Sequence, residues 1–373
     1  MKIKIYKNIS DIGIQEWNQH VAKRFFLSYN YLHTLELACT QLEYRYVLCY
    51  DKGEFQGLCY FQIIPFSGNN LHQYIPSSNR IIKFAFENIL SQINTELIVL
   101  GNVVFTCENG VLISPNATVE PDKIVYESIT KVHKTLKRKA MASMISENIN
   151  SVSTSIFCNK KYHEFRVEDR MEIDLSKFTS FESYQDSIQS KYRVRLNKIY
   201  KLNQHVKEID ITQENFNQYR DEIENLFYQV LNHSKFKLTT ISVNYFYEFI
   251  QHISRFKIKG YLNGNKLVGF ISYFELDSII EVHYVGLDYQ YNHQNKIYNY
   301  ILYRILESSF DLQAKKICYG RTAQELKSTL GALPYSISSS LKLNNRFLNL
   351  LTPFFLNRMI PSEWTPRNPF KNQ

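Results

Sequence analysis

The sequence lacks several features that assign a protein to a well-defined class. No run of about 18 apolar residues occurs, so no bilayer-spanning helix is predicted. Ser-His-Asp elbow, P-loop, HExxH and EF-hand patterns are also missing, which excludes the enzyme and ion-binding classes that depend on them. No close CxxC pair occurs, so we expect no metal site and instead reduced, buried thiols in a cytoplasmic protein. The six cysteines are Cys39, Cys49, Cys59, Cys107, Cys158 and Cys318.

Basic and aromatic residues are what the sequence has in excess. Its 44 Lys+Arg against 35 Asp+Glu give a net charge of +9. This charge favours acidic partners such as phosphates, coenzyme A or anionic lipid, without indicating nucleic acid by itself. The 27 tyrosines and 25 phenylalanines argue against extended disorder. The first seven residues alternate charged and apolar side chains, which predicts a first strand and not a signal peptide.

The length of 373 residues predicts two domains, and the order of their predicted strands and helices gives them the α/β (α+β) class. We place them at 1–165 and 166–345, followed by an apolar and basic tail at 346–373. The first half contains a predicted hairpin of Tyr44–Tyr50 and Leu58–Ile64, a strand at Glu96–Phe105 and a helix at Pro121–Arg138.

The second half shows a clearer order of elements. Asn263-Gly264-Asn265 and Asp277-Ser278 separate three β-rich runs, which predicts an antiparallel meander. The predicted strands and helices are Met171–Leu175, Tyr184–Leu202, Phe216–Leu231, Val243–Ile253, Lys257–Leu262, Lys266–Leu276, Ile279–Leu287, Tyr298–Ser309, Lys316–Tyr319 and Ala323–Leu330. This order is typical of the GNAT fold, in which the central strands splay apart to admit an acyl thioester.

Three segments carry a resemblance to a known family. Ser190-Lys-Tyr-Arg-Val-Arg-Leu-Asn-Lys resembles the basic helix that opens the second domain of Fem-type aminoacyltransferases. Leu326-Lys-Ser-Thr-Leu-Gly331 resembles their Phe-Lys-x-x-Phe-Gly element. Gly320-Arg-Thr-Ala and the tail segment Glu363-Trp-Thr-Pro-Arg are similar to Fem-like / BioF-associated GNAT proteins. The resemblance implies two tandem GNAT-like domains, each with a mixed, mostly antiparallel sheet flanked by helices.

The resemblance also implies an activity, N-acyl or N-aminoacyl transfer to an amine acceptor, in cell-envelope or lipid biosynthesis. A GNAT protein that uses acetyl-CoA has a glycine-rich turn that holds the pyrophosphate. Here the corresponding segment, 288–298, has no glycine. The donor therefore stays open among acyl-CoA, an acyl-carrier protein and aminoacyl-tRNA, and a non-catalytic binding protein that has lost the donor site is the alternative.

The candidate catalytic residues lie on the third strand of the meander. Acyl transfer needs a base, an oxyanion donor and a proton for the leaving group. Alternation places Glu281 and His283 on one face of Ile279–Leu287 and Tyr284 on the other. Glu281 or His283 can then take the amine proton; the alternative is an ion-paired Glu281 and a hydrogen-bonded core histidine.

The candidate substrate-binding residues lie in two places. One group follows a short strand, and the other belongs to a basic helix. Arg321 suits a carboxylate or phosphate, or else pairs structurally with Glu325. Thr322 is a candidate cap of the next helix. Lys327 belongs to the site by resemblance, whereas composition alone predicts a solvated lysine. The remaining candidates are Lys191 and Arg195, with Lys198 and Lys201. They lie on a helix face that either binds a phosphate-bearing donor or is simply solvated.

The tail combines basic residues with Phe347–Ile360, an apolar and aromatic stretch interrupted by Pro353. One hypothesis is an interfacial segment that contacts an anionic membrane at its inner face and suits a lipid-linked acceptor. The other is that the tail packs on one of the domains. A second basic cluster, Lys131–Lys139, is interpreted as surface.

Overall fold

A computed structural model describes the chain except residues 22–23, 68–83, 85–86, 89–90, 92–93, 106–108, 137–139, 141, 146–160, 234–238, 358–362 and 372–373. The elements up to residue 166 are β1 Lys2–Tyr6, α1 Ile14–Val21, α2 Tyr29–Ala38, β2 Glu43–Asp51, β3 Glu54–Ser67, β4 Asn94–Leu100, β5 Val111–Ile113, α3 Pro121–Thr135, β6 Ala142–Ile145 and β7 His163–Arg166. Those that follow are β8 Arg170–Asp174, α4 Phe181–Ser187, α5 Ser190–Leu202, β9 Val206–Ile211, α6 Phe216–His233, α7 Val243–His252, β10 Phe256–Asn263, β11 Lys266–Leu276, β12 Ile279–Leu287, α8 Tyr289–Asn295, α9 Ile297–Asp311, β13 Lys316–Cys318, α10 Gln324–Ser328, β14 Leu333–Tyr335, β15 Ser338–Leu343 and α11 Arg346–Leu356.

The chain divides into two compact units whose segments are not contiguous. The first contains Met1–Val167, Phe236–Ile241 and Ile337–Pro361, and the second contains the remainder. These units differ from the boundaries 1–165, 166–345 and 346–373, because β15 and α11 belong to the first unit. The backbone of β15 pairs antiparallel with β6 and β7. This pairing joins segments about 200 residues apart, which no local sequence pattern reveals.

In the first unit, the described strands have the order β1-β2-β3-β4-β6-β15-β7, with β5 on β3. Lys52 and Gly53 both have positive φ, 48° and 93°, as a tight hairpin turn between β2 and β3 requires. Helix α3 buries Ile124, Val125 and related apolar residues against the sheet. The predicted strand Glu96–Phe105 ends at Leu100, because Gly101 turns the chain with φ of 111°.

In the second unit, the described strands have the order β14-β8-β13-β12-β11-β10-β9. Only β12 and β13 are parallel among these neighbours, and β4 and β6 are the parallel pair of the first unit. The predicted class is therefore confirmed: two α+β units with mixed, mostly antiparallel sheets. One sheet face of the second unit packs against α4, α5 and α9 through residues such as Tyr184, Leu196 and Ile301.

The predicted helix Tyr184–Leu202 is interrupted between α4 and α5. Ile188 is extended and forms a β-bridge with Phe370, near the C-terminus. The Gln189 amide donates to the Pro369 carbonyl at 2.8 Å, and the Lys371 amide donates to the Ser187 carbonyl at 2.9 Å. The break arises because a distant segment supplies these hydrogen bonds.

Residues 363–371, the C-terminal strap, pack on the second unit. Arg367 pairs with Glu325, and Phe370 stacks on Phe178 with ring centroids 5.6 Å apart. Trp364 is partly buried against the same core. This part of the tail packs on the fold, as one of the two hypotheses predicts.

Four cysteines, Cys39, Cys49, Cys59 and Cys318, are free and buried, as predicted; Cys107 and Cys158 lie outside the described residues. Burial raises the pKa of the Cys39 thiol to about 12, so this thiol stays protonated. No helix in the described part of the chain combines the length and apolar character that crossing a bilayer requires.

Candidate active site

The sheet of the second unit opens where β12 and β13 separate. These parallel strands pair at three positions, the last being Glu281 with Cys318. Beyond it β12 continues to Leu287 along β11, whereas the chain after Cys318 stays hydrogen-bonded to Met171 of β8 and turns at Gly320. A strand that loses one neighbour exposes backbone donors and acceptors along that edge. The opening lies among the residues that the sequence nominates for chemistry.

Glu281 lies at the opening as a buried ion-pair partner. Its carboxylate accepts a hydrogen bond from the Arg170 guanidinium on β8. Arg170 also approaches Glu172 at 2.8 Å, and Lys316 pairs with Glu172 at 3.1 Å. Burial raises the pKa of Glu281, while the charge of Arg170 opposes that rise. The geometry therefore supports the alternative in which Glu281 is an ion-pair partner.

His283 and Tyr284 lie on a β-bulge in β12. The register between β11 and β12 shifts between Ile271 and Tyr273, so that Ser272 faces two residues of β12. The Tyr284 amide donates to Ser272 Oγ at 3.0 Å, and Ser272 Oγ lies 3.3 Å from His283 Nδ1. The bulge thus positions His283 and Tyr284 through one hydroxyl.

This bulge corrects the predicted placement of Tyr284. The His283 ring stacks on Tyr245 of α7 at 5.3 Å, and the Tyr284 ring packs edge-on against Tyr245 at 6.2 Å. Both side chains therefore face α7, although strict alternation predicts opposite faces. An extra residue in one strand reverses the alternation beyond it.

The His283 imidazole is held among aromatic rings. Its Nε2 lies 3.2 Å from the Tyr245 hydroxyl, and the rings of Phe256 and Phe274 pack edge-on against it. Burial lowers the pKa of His283 well below its usual value, because desolvation disfavours the charged ring. A neutral imidazole is the form that a proton acceptor needs.

A strained turn follows β13. Gly320, Thr322 and Ala323 have φ values of 68°, 35° and 50°. A left-handed backbone at two non-glycine residues is costly and persists only where the surrounding structure enforces it. Thr322 does not cap the next helix: Ala323 holds the N-cap position of α10 without a side-chain hydrogen bond. The Thr322 amide instead donates to Glu168 at 3.3 Å, so the predicted cap is wrong.

Arg321 is partly exposed in this turn. Its guanidinium has no ion pair or hydrogen bond among the described residues, and Glu325, the partner that a structural role predicts, pairs with Arg367 instead. The Arg321 carbonyl accepts a hydrogen bond from Lys327 Nζ. The guanidinium is therefore available to an anionic group of a ligand.

Lys327 is buried on α10, with 3% exposure, and is not the solvated lysine that composition suggests. Its Nζ donates to the Tyr319 carbonyl at 2.8 Å and to the Arg321 carbonyl. Desolvation lowers the pKa of Lys327 to about 7. A neutral amine satisfies both carbonyls with its two N–H bonds and keeps a lone pair, so this group can exchange a proton near neutral pH.

Comparison with known proteins gives the fold of this arrangement. No protein-family model and no curated protein sequence matches the chain. The solved structure of FemX is similar with a TM-score of 0.53 at 9% identity, over 94% of this chain and 99% of FemX. The C-terminal domain of a putative lysylphosphatidylglycerol synthetase from Agrobacterium fabrum gives 0.51 at 7%, over 93% and 96%. A tandem GNAT protein from the clavulanic acid biosynthesis pathway gives 0.50 at 9%, over 92% and 98%.

The chain has a Fem-like tandem GNAT fold. In the second GNAT unit, the segment without glycine forms α8, which Asp288 caps by accepting from the Tyr291 amide. The Asn292 side chain accepts from the Tyr298 amide in the first turn of α9. One of the donors that a pyrophosphate at this helix terminus would use is therefore already occupied.

Helix α5 presents its basic residues to solvent. Lys191, Arg195, Lys198 and Lys201 are exposed, whereas Leu196 is in the core. Because α5 packs on the sheet face that carries Ile280 and Val282, the structure does not bring Lys191 and Arg195 together with Glu281 or His283. Their role in donor binding remains a prediction.

Several residues of the site could not be identified from the sequence. Arg170 pairs with Glu281 across 111 positions, Tyr245 reaches His283 across 38, and Ser272 forms the bulge. The alternating charges of Arg170-Met-Glu-Ile-Asp signal that one face of β8 carries charge. No local signal identifies the partners of these charges.

Proposed function

We propose that the second GNAT unit catalyses N-acyl or N-aminoacyl transfer to an amine acceptor at the opening between β12 and β13. The observation that carries this proposal is the buried Lys327 amine, held by the carbonyls of Tyr319 and Arg321 where the strands separate. The fold shared with FemX and the tandem GNAT protein supports the reaction class. The family of donors is an acyl-CoA, an acyl-carrier protein or an aminoacyl-tRNA.

Direct attack by the amine on the donor carbonyl requires two proton transfers and no covalent intermediate. The attacking ammonium loses a proton, for which the neutral His283 imidazole and Lys327 amine are the candidate acceptors. The leaving thiol or hydroxyl gains a proton, which a protonated Lys327 supplies. Arg321 binds an anionic group of the donor or acceptor. Glu281, paired with Arg170, acts through the local field and as a structural partner.

The occupied first turn of α9 favours a donor that does not rely on a pyrophosphate at that terminus. Asn292 already accepts from the Tyr298 amide. A donor with a large polyanionic carrier, such as tRNA, suits the exposed basic face of α5. We therefore rank aminoacyl-tRNA or an acyl-carrier protein above acetyl-CoA. The same observation favours the alternative, a binding protein without turnover.

Native mass spectrometry of the purified chain tests the donor. We expect a co-purified tRNA, carrier protein or acyl-CoA, and transfer of label from that donor to an amine in a single-turnover assay. Arg321→Ala should abolish donor binding or turnover while the thermal midpoint changes by less than about 2 °C, since exposed side chains contribute little stability.

Arg255→Ala is the matched control, because Arg255 is also partly exposed but pairs with Asp277 at 2.8 Å. Activity of this control should equal that of the wild type. A chain that binds none of these donors and transfers no label would favour the non-catalytic alternative, which has lost the donor site. A large loss of stability in Arg321→Ala would show that Arg321 is structural.

A further inference from the structure

Helix α11 buries polar side chains and exposes large apolar ones, which is the reverse of a helix that packs on a soluble domain. Asn349 and Thr352 are buried, with 5% and 2% exposure, whereas Phe347 and Leu350 are 79% and 69% exposed. Asn349 fixes this orientation: its Nδ2 donates to the Lys161 carbonyl at 2.9 Å, and its Oδ1 accepts from the Leu343 amide at 2.8 Å. The face with Asn349, Thr352 and Leu356 is buried against the first unit, and the face with Phe347 and Leu350 is exposed.

The outward side forms a continuous apolar patch. Phe347, Leu350 and Phe354 recur at helical spacing, and Leu348 borders them. Leu348 and Phe354 are 41% and 52% exposed. Clustered exposed apolar residues mark an interaction surface, whereas single exposed ones are ordinary.

Positive charge borders this patch. Neither β15 nor α11 contains an acidic residue, and α11 begins with the exposed Arg346. The Lys342 ammonium of β15 lies instead over the rings of Tyr126 and Tyr162. Lys161, whose carbonyl contacts Asn349, is also exposed. The nearby acidic residue Glu164 accepts a hydrogen bond from Ser338 at 2.5 Å. Exposed apolar side chains bordered by basic ones complement the surface of an anionic bilayer.

We propose that α11 docks the protein on an anionic bilayer, lying in the plane of the interface. Phe347 and Leu350 enter the boundary of the acyl chains, and Arg346 meets the headgroups. A second copy of the chain is a poorer occupant. A helix of this length offers roughly 16 Å by 10 Å of face, far below the approximately 800 Å² per partner of a stable interface.

The surface belongs to the first unit and does not depend on the acyl-transfer proposal for the second. The docking proposal and the acyl-transfer proposal can therefore fail independently. If both hold, docking places the enzyme next to amine acceptors that are attached to lipid.

Co-sedimentation of the full chain with vesicles tests the docking. We expect binding to vesicles of phosphatidylcholine with about one third phosphatidylglycerol, weak binding to phosphatidylcholine alone, and a decrease with added salt. The double variant Phe347→Ser and Leu350→Ser should bind at least about tenfold more weakly. Because both side chains are exposed, the thermal midpoint should stay unchanged.

Val194→Ser is the matched control, since Val194 is 67% exposed on the basic helix α5. This control should bind vesicles as the wild type does. In a second measurement, tryptophan in Phe347→Trp should shift to shorter wavelength on anionic vesicles and be quenched by brominated acyl chains. Equal binding of the double variant and the wild type would overturn the proposal. So would a concentration-dependent dimer that the double variant dissociates, because a second copy would then cover α11.

Discussion

Replacing Lys327 with methionine tests whether its buried amine is uncharged near neutral pH. The pKa of Lys327 is lowered to about 7 by desolvation, against 10.5 in an unfolded chain. Between these values the unfolded state binds a proton that the folded state lacks. Stability therefore rises with pH in this window and is lost as the pH falls toward 7.

The magnitude follows from the linkage relation. Each pH unit inside the window adds about 1.4 kcal/mol to the free energy of unfolding, so the rise from pH 7 to pH 9 is about 2 kcal/mol. Lys327→Met lacks this titration. The variant also leaves the carbonyls of Tyr319 and Arg321 without their donor, which costs about 1–3 kcal/mol at every pH.

Urea unfolding followed by circular dichroism at pH 7, 8 and 9 measures the difference between the two proteins. Other groups titrate in both proteins and cancel, so the wild type should gain about 2 kcal/mol over the variant. Lys198→Met, at an exposed position on α5, is the control, and its free energy of unfolding should stay close to that of the wild type. A pH-independent difference for Lys327→Met would show that the amine is charged in the folded protein and would refute the argument.

Three further predictions concern stability. His283→Phe should reduce the loss of thermal stability on acidification from pH 7.5 to pH 5, because the pKa of His283 is lowered and only the unfolded state binds the proton; a parallel loss in both proteins would contradict this. Gly331→Ala should cost about 2 kcal/mol in chemical denaturation, because φ is 91° and the new Cβ would lie 2.3 Å from the Phe370 ring. In a protein that already carries Phe370→Ala, Gly331→Ala should destabilise less. If the two substitutions have additive effects on the free energy of unfolding, contact with Phe370 is not the cause of the destabilisation. Removing either Arg170 or Glu281 should cost about 3–5 kcal/mol, whereas replacing both with apolar residues should cost less than either single change; a double variant worse than both would argue against the ion pair.

The sequence by itself determined the local elements and their order in the second unit. The runs around Asn263-Gly264-Asn265 and Asp277-Ser278 predicted β11 and β12 with their observed bounds. This succeeds because turn chemistry and side-chain alternation act between neighbours in sequence. The basic residues of α5 were also predicted to be helical, since helical spacing is visible without a structure.

The tertiary structure alone decided the environment of those residues. The burial of Lys327 depends on the turn at Gly320 and on the carbonyls that it brings together. The placement of Tyr284 depends on a bulge that Ser272 stabilises from another strand. The break after α4 depends on Phe370. The bulge and the break after α4 join residues that are out of register or distant in sequence, and chain entropy is overcome only when the whole unit folds.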